Sequence, residues 1–120
     1  MTSEARQALE AAGIRTGELL DRMMGSESMA ERFLCRFLED PTYAALEAAM
    51  AAGRREEAFR AAHTLKGLCG NLSITGLGAL AGRQTELLRG AEGWAEAQAL
   101  MPEIAEAYSR VRSAIAGHLP

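Results

Sequence analysis

Ala61-Ala62-His63-Thr64-Leu65-Lys66-Gly67-Leu68-Cys69-Gly70-Asn71-Leu72 is the stretch that decides the fold of this 120-residue chain. It reads as the second half of a helix that begins near Arg54 or Arg55 and ends around Leu72. Side chains three and four apart share a helix face. At ~100° per residue, His63 lies on one side with Glu56, Phe59, Arg60, Lys66, Gly67 and Gly70. Ala58, Ala61, Leu65, Leu68 and Leu72 gather on the other, with Cys69 at the edge of that stripe. The apolar stripe faces away from His63, so the imidazole is expected to point into water.

Glycine inside a helix costs about 1 kcal/mol relative to alanine. Gly67 and Gly70 nevertheless fall one and two turns after His63 on its own face. Missing side chains there open space beside the imidazole, and Lys66 brings a cation to the rim. An exposed imidazole with cleared room and a nearby ammonium suits a bulky anionic group. A phosphoryl group carried on the histidine fits that description.

Ala62-His63-x-Leu65-Lys66-Gly67-x-x-Gly70 resembles the signature of histidine-containing phosphotransfer (HPt) domains, the four-helix modules of bacterial and fungal phosphorelays. Phe59-Arg60-Ala61-Ala62 is similar to the same stretch in the HPt domains of chemotaxis kinases, and Leu77 and Leu80 fall at the family's next-helix leucines without gaps. The match is close from about Glu56 to Ala81 and looser from Phe33 to Leu88.

Composition agrees with a helical domain. A length of 120 residues suits one domain able to bury its own core. Hydrophobic residues make up 48%, mostly alanine and leucine, which favours packed helices over a sheet. The net charge of −3, with both signs interspersed, leaves no nucleic-acid footprint. Cys35 and Cys69 are read as reduced core cysteines. The polar opening Met1–Gln7 has no signal-peptide character. No apolar run approaches the ~20 residues of a membrane span. A cytoplasmic, monomeric protein is the expectation, without nucleic-acid or membrane partners.

The expected architecture is all-α: an antiparallel up-down four-helix bundle over about 28–116, with short covering helices over about 3–24. Thr2 or Ser3 can cap the first helix, which ends before Gly13, and Thr16 can cap a second over Gly17–Met24. Its Leu19, Leu20, Met23 and Met24 close the core or offer a docking surface. Ser28-Met29-Ala30-Glu31 matches a capping box for a helix carrying Phe33, Leu34, Phe37 and Leu38. Leu46 and Met50 are out of phase with that set, which predicts a break or kink at Asp40-Pro41 before a helix that stops at Gly53. Thr75 is a plausible cap for the helix after His63's, which bears Leu77, Leu80, Ala81, Gln84, Leu87 and Leu88. Trp94, Ala97, Met101, Ile104, Tyr108, Val111 and Ile115 repeat in one phase straight through Pro102, so one long helix is expected.

The resemblance implies that His63 is the phosphoacceptor, through Nε2, taking a phosphoryl group from one receiver domain's aspartyl phosphate and passing it to another. Attack needs a neutral imidazole, and an imidazole in water, with its ordinary pKa of ~6.5, is mostly neutral at neutral pH. Lys66 would offset phosphoryl charge, Gly67 and Gly70 would admit the receiver, and Arg60 would aid docking or the field. Relatives place a glutamine on the neighbouring helix within reach of the histidine. That register holds Thr85 here, with Gln84 beside it, and either could orient His63. The site has no acidic cluster suited to Mg²⁺, and the family implies that the receiver supplies the metal. No cofactor of its own is expected, nor any nucleotide-binding loop, so the chain reads as a phosphocarrier rather than an enzyme. The expected partners are receiver domains of response regulators and hybrid histidine kinases. Two alternatives stay open: a non-catalytic adaptor of the same shape, or the phosphoacceptor segment of a chemotaxis-type kinase. His118, Trp94 and the run Arg54-Arg55-Glu56-Glu57 are read as structural or surface features.

Overall fold

The computed structural model describes all 120 residues and contains seven α-helices. They are α1 (Ser3–Ala11), α2 (Thr16–Arg22), α3 (Glu27–Phe37), α4 (Thr42–Ala51), α5 (Arg55–Asn71), α6 (Thr75–Leu87) and α7 (Trp94–His118). A 3-10 turn, Ala91–Gly93, leads into α7. The fold is an all-α bundle, as the composition and periodicity indicate.

The chain breaks at Asp40-Pro41. The Asp40 carboxylate accepts a hydrogen bond from the Thr42 amide at 2.8 Å and so caps α4. Helices α3 and α4 form one broken strut that runs antiparallel to α7. Phe37 and Tyr108 rings meet at 5.9 Å, Tyr43 stacks on Tyr108 at 3.9 Å, and the Arg112 guanidinium donates to the Leu38 carbonyl at 2.8 Å. Further along, Met50 faces Gln98 and Met101. Helix α7 passes through Pro102 without interruption. Its 25 residues span about 37 Å at 1.5 Å per residue, which sets the 44 Å long axis of the molecule. Helix α5 packs between α4 and α6, and α6 packs on α7.

One contiguous core runs through the bundle, with Leu34, Leu46, Leu65, Leu77, Ile104 and Ile115 among its fully buried members. The buried line of α5 is Ala58, Ala62, Leu65 and Cys69, rotated from the expected stripe towards Ala62 and Cys69; Ala61 and Leu68 are only half-buried. The rotation follows from α6. A Cβ built on Gly78 would lie 3.1 Å from the Cys69 Cβ, so the two backbones approach closely there and cover Cys69. Burial pushes the Cys69 thiol up to about 12.

Several helix starts differ from expectation. Thr2 caps α1, accepting from the Ala5 amide at 3.0 Å. The cap of α3 is Ser26, which accepts from Met29 at 3.1 Å, rather than Ser28. The helix starts directly after Gly25, whose φ of 79° ends the preceding turn, and Glu31 pairs instead with the Met1 amino group. Thr16 and Thr75 do not cap their helices, because their hydroxyls serve tertiary contacts. The Thr16 amide and hydroxyl both donate to a Glu10 carboxylate oxygen at 2.7 Å, and the Thr75 hydroxyl donates to the Gly13 carbonyl at 3.1 Å.

Those contacts fasten the cover to the bundle. The α1–α2 loop pairs with the α5–α6 turn through an antiparallel bridge between Ile14 and Ile74. Arg15 N donates to Ser73 O at 2.9 Å, and Thr75 N to Gly13 O at 2.8 Å. Gly13 has φ +91°, so a side chain there is strained, and a Cβ would rest in contact with the Gly76 backbone at 3.4 Å. Ser73 completes the joint by donating its hydroxyl to Glu18 at 3.0 Å.

Candidate functional site

His63 sits near the middle of α5 and is solvent-exposed. Arg60, Lys66, Gly67 and Gly70 are exposed with it, so the outer face of the helix gathers them as helical spacing requires. Nothing lies within 4 Å of a Cβ built on Gly67 or Gly70. The helix gains no packing from these glycines, and their effect is an open surface beside His63. The alanine-scale cost of each glycine, about 1 kcal/mol, is borne by α5 for that clearance.

Lys66 is the chain's single lysine among 13 basic residues. Its stem lies along α6: a Cβ on Gly82 would meet Lys66 Cδ at 3.6 Å and Cε at 3.7 Å. Gly82 therefore leaves a shallow seat for the lysine stem, one turn from the Gly78 seat for Cys69. The ammonium belongs to none of the chain's ion pairs. Glu86, on the same helix, is held below the usual carboxylate range mainly by its hydrogen bond to Arg89, with a smaller contribution from Lys66.

Phe59 stands one turn before His63. The two rings are nearly parallel, at 8°, with centroids 6.2 Å apart. The Arg89 guanidinium lies over the Phe59 ring at 5.3 Å and is paired with Glu86 at 2.9 Å. Arg55 donates to the Leu88 and Arg89 carbonyls at 2.9 and 3.3 Å, which ties the start of α5 to the end of α6. Arg55, Arg60 and Arg89 border an open hollow with Phe59 and Glu56. Three guanidiniums, with Glu56 and Glu86 among them, thus stand on the Phe59 side of the histidine.

Gln84 and Thr85 are not brought to the imidazole. Gln84 is fully buried, and its amide donates to the Ala97 carbonyl at 2.9 Å and touches the Met50 sulfur at 3.9 Å. Its Oε1 has no partner. Thr85 is buried too and donates its hydroxyl to the Ala81 carbonyl at 2.7 Å. Both side chains point to the α6–α7 side of the bundle or back along α6, because the α6 residues that approach α5 are Gly78 and Gly82.

Sequence reasoning missed Gly82, Glu86 and Arg89. The spacing of Gly78 and Gly82, four apart on one helix face, was the available signal for a close α5–α6 approach. Arg89 carries no such signal, because only the helix pairing brings it over Phe59.

A family model described as the Hpt domain matches residues 28–114. The chain belongs to the Hpt domain family. Hpt domains are phosphocarrier modules of two-component signalling that interact with receiver domains, so this chain takes part in two-component phosphotransfer. The match begins inside α3 and ends near the end of α7, leaving α1 and α2 outside it. Comparison with curated proteins and with solved structures gave no match. No helix is long and apolar enough to cross a membrane.

Proposed function

We propose that the chain is an intermediate carrier in a multistep phosphorelay, with His63 as the phosphoacceptor. The observation that carries this is the outer face of α5: an exposed imidazole flanked by an unpaired lysine and by two glycines with nothing above them. The donor is a receiver domain carrying an aspartyl phosphate, either a response regulator or the receiver of a hybrid histidine kinase. The Nε2 lone pair of neutral His63 attacks phosphorus. A P–N bond forms as the P–O bond to aspartate breaks, and the carboxylate leaves with the electron pair. The proton on Nδ1 keeps the imidazole ring cationic until water removes it. In the return step, a carboxylate oxygen of a second receiver attacks phosphorus and His63 leaves.

Lys66 offsets charge on the phosphoryl oxygens, and Arg60 adds to the same field. Gly67 and Gly70 let the receiver's aspartate come close. Mg²⁺ enters with the receiver, and the chain acts on no nucleotide. It works as a monomer, inside the cell.

The test is a transfer profile. Labelled phospho-receivers and a labelled hybrid kinase are each mixed with wild-type and His63→Gln protein. Acid-labile, base-stable label on the wild type alone supports the proposal and identifies the donor. Equal labelling of both proteins contradicts it. Binding of receivers with no transfer means an adaptor, and labelling by a separate kinase domain but by no receiver means a kinase phosphoacceptor segment.

A further inference from the structure

We infer that Phe59 is a positioning residue for His63, held in turn by Arg89 in the turn that follows α6. The inference rests on the assignment of His63 as phosphoacceptor and adds how its ring is aimed.

His63 has no hydrogen-bond partner or ion pair within the chain. Every side-chain hydrogen bond in and around the site runs between other groups: Arg55 to the Leu88 and Arg89 carbonyls, Arg89 to Glu86, Gln84 to Ala97 and Thr85 to Ala81. An imidazole is usually aimed by a bond to one of its nitrogens. Here the expected orienting groups, Gln84 and Thr85, are in the core. What does face the ring is Phe59, nearly parallel at 8° and 6.2 Å between centroids, an offset arrangement that aromatic pairs favour.

Phe59 is itself fixed. It is half-buried and packs against the core cluster. The Arg89 guanidinium covers its ring at 5.3 Å, and Glu86 holds that guanidinium at 2.9 Å. Arg55 pins the α6 end from which Arg89 projects. The line Glu86–Arg89–Phe59–His63 thus carries the position of α6 to the reacting imidazole by packing and charge. Both ring nitrogens stay free, one to attack and one to keep its proton.

A histidine on a helix has about two open χ1 wells, and its χ2 is roughly two-fold. Removing Phe59 therefore spreads the ring over up to ~four orientations, and transfer from a docked receiver, which meets only the productive one, slows by about three- to fourfold. Phosphoramidate, which needs no docking surface and meets the imidazole in any orientation, is the control. The imidazole nitrogen attacks its phosphorus, the P–N bond to the donor breaks and ammonia leaves. His118, exposed at the end of α7, is the internal reference.

Wild type, Phe59→Ala, Phe59→Leu and Phe59→Tyr are compared for side-chain three-bond couplings of His63 by NMR, for His63 phosphorylation by a phospho-receiver, and for phosphorylation by phosphoramidate relative to His118. The expected result is a single-rotamer coupling pattern in wild type and Phe59→Tyr. Phe59→Ala and Phe59→Leu should show averaged couplings and a three- to fourfold lower rate from the receiver, with the rate from phosphoramidate unchanged and backbone spectra still native. Unchanged His63 couplings in a folded Phe59→Leu or Phe59→Ala protein overturn the inference. The couplings are read without a receiver. If no receiver phosphorylates the wild type, the relay proposal fails while the coupling result stands or falls separately.

Discussion

At the residue scale, the proposed carrier role asks chemistry of His63 and Lys66 and none of Gln84 and Thr85, which are buried elsewhere. Lys66 has no ion pair and a stem laid over Gly82, which the proposed role uses to meet an incoming phosphoryl group. Lys66→Ala is expected to slow receiver-to-His63 transfer by roughly tenfold, less than for a buried oxyanion donor because water screens the exposed site. Thermal unfolding of this variant should match the wild type. Gln84 gives the opposite expectation. Its orphan Oε1 is a buried liability, so Gln84→Met should hold stability within about 1 kcal/mol and leave transfer unchanged. A transfer defect in folded Gln84→Met would return that residue to the site. That His63, Lys66 and the two glycines share one exposed face was legible from spacing, because a helix converts spacing into a face; their roles were read from the resemblance. The Gln84 and Thr85 assignment was not, since it depended on which side of α6 meets α5. That is decided by two small residues, Gly78 and Gly82, rather than by the polar ones.

At the element scale, four glycines on two adjoining helices have different roles. Gly67 and Gly70 on α5 touch nothing. Gly67→Ala and Gly70→Ala should each raise stability by up to about 1 kcal/mol, read by denaturant unfolding. Each should also slow phosphorylation by a receiver while leaving phosphorylation by phosphoramidate unchanged. Gain of stability with full receiver activity would show that the clearance is not for a partner. Gly78 and Gly82 on α6 face α5 instead. A Cβ at Gly78 meets Cys69 Cβ at 3.1 Å, tighter than ordinary contact, whereas one at Gly82 meets only the flexible Lys66 stem at 3.6 Å. Gly82→Ala is therefore expected to stabilise and Gly78→Ala to destabilise by about 1 kcal/mol or more, as overpacking does. Helix existence and order were readable from periodicity, including the break before Pro41 and the continuity through Pro102. Helix starts were less so. Ser28, Thr16 and Thr75 look like caps by residue type, but Ser26 stands closer to the turn set by Gly25, and the two threonines are drawn into tertiary hydrogen bonds.

At the scale of the whole molecule, the short N-terminal helices are joined to the α5–α6 turn, the base of the hairpin that bears the site. Residue 63 lies eight positions, about 12 Å of helix, from the end of α5 at Asn71. The joint has an acid-sensitive member. The Glu10 carboxylate accepts from the Thr16 hydroxyl and amide, and these bonds hold its pKa below the usual carboxylate range. A carboxyl whose folded pKa is depressed contributes stability above its ordinary pKa and loses it as pH falls through the folded value. Stability should therefore decline on acidification from the ordinary glutamate pKa of ~4.3 downwards. Glu10→Gln should flatten part of that decline, as measured by unfolding curves at successive pH values. An unchanged pH slope in Glu10→Gln would remove the joint from the account. None of this pairing was visible beforehand, because Gly13, Ile14, Ser73 and Ile74 are too far apart in sequence for any local pattern to connect them.

The central claim, that His63 receives a phosphoryl group and gives it back, is tested most directly by a 31P NMR chase. Wild-type and His63→Gln proteins are each incubated with a phosphorylated receiver, and an unphosphorylated second receiver is then added. A phosphorus–nitrogen resonance that builds on the wild type alone, and then decays as aspartyl phosphate appears on the second receiver, is the predicted result. A resonance of the same size on His63→Gln, or one on the wild type that no receiver discharges, would contradict it.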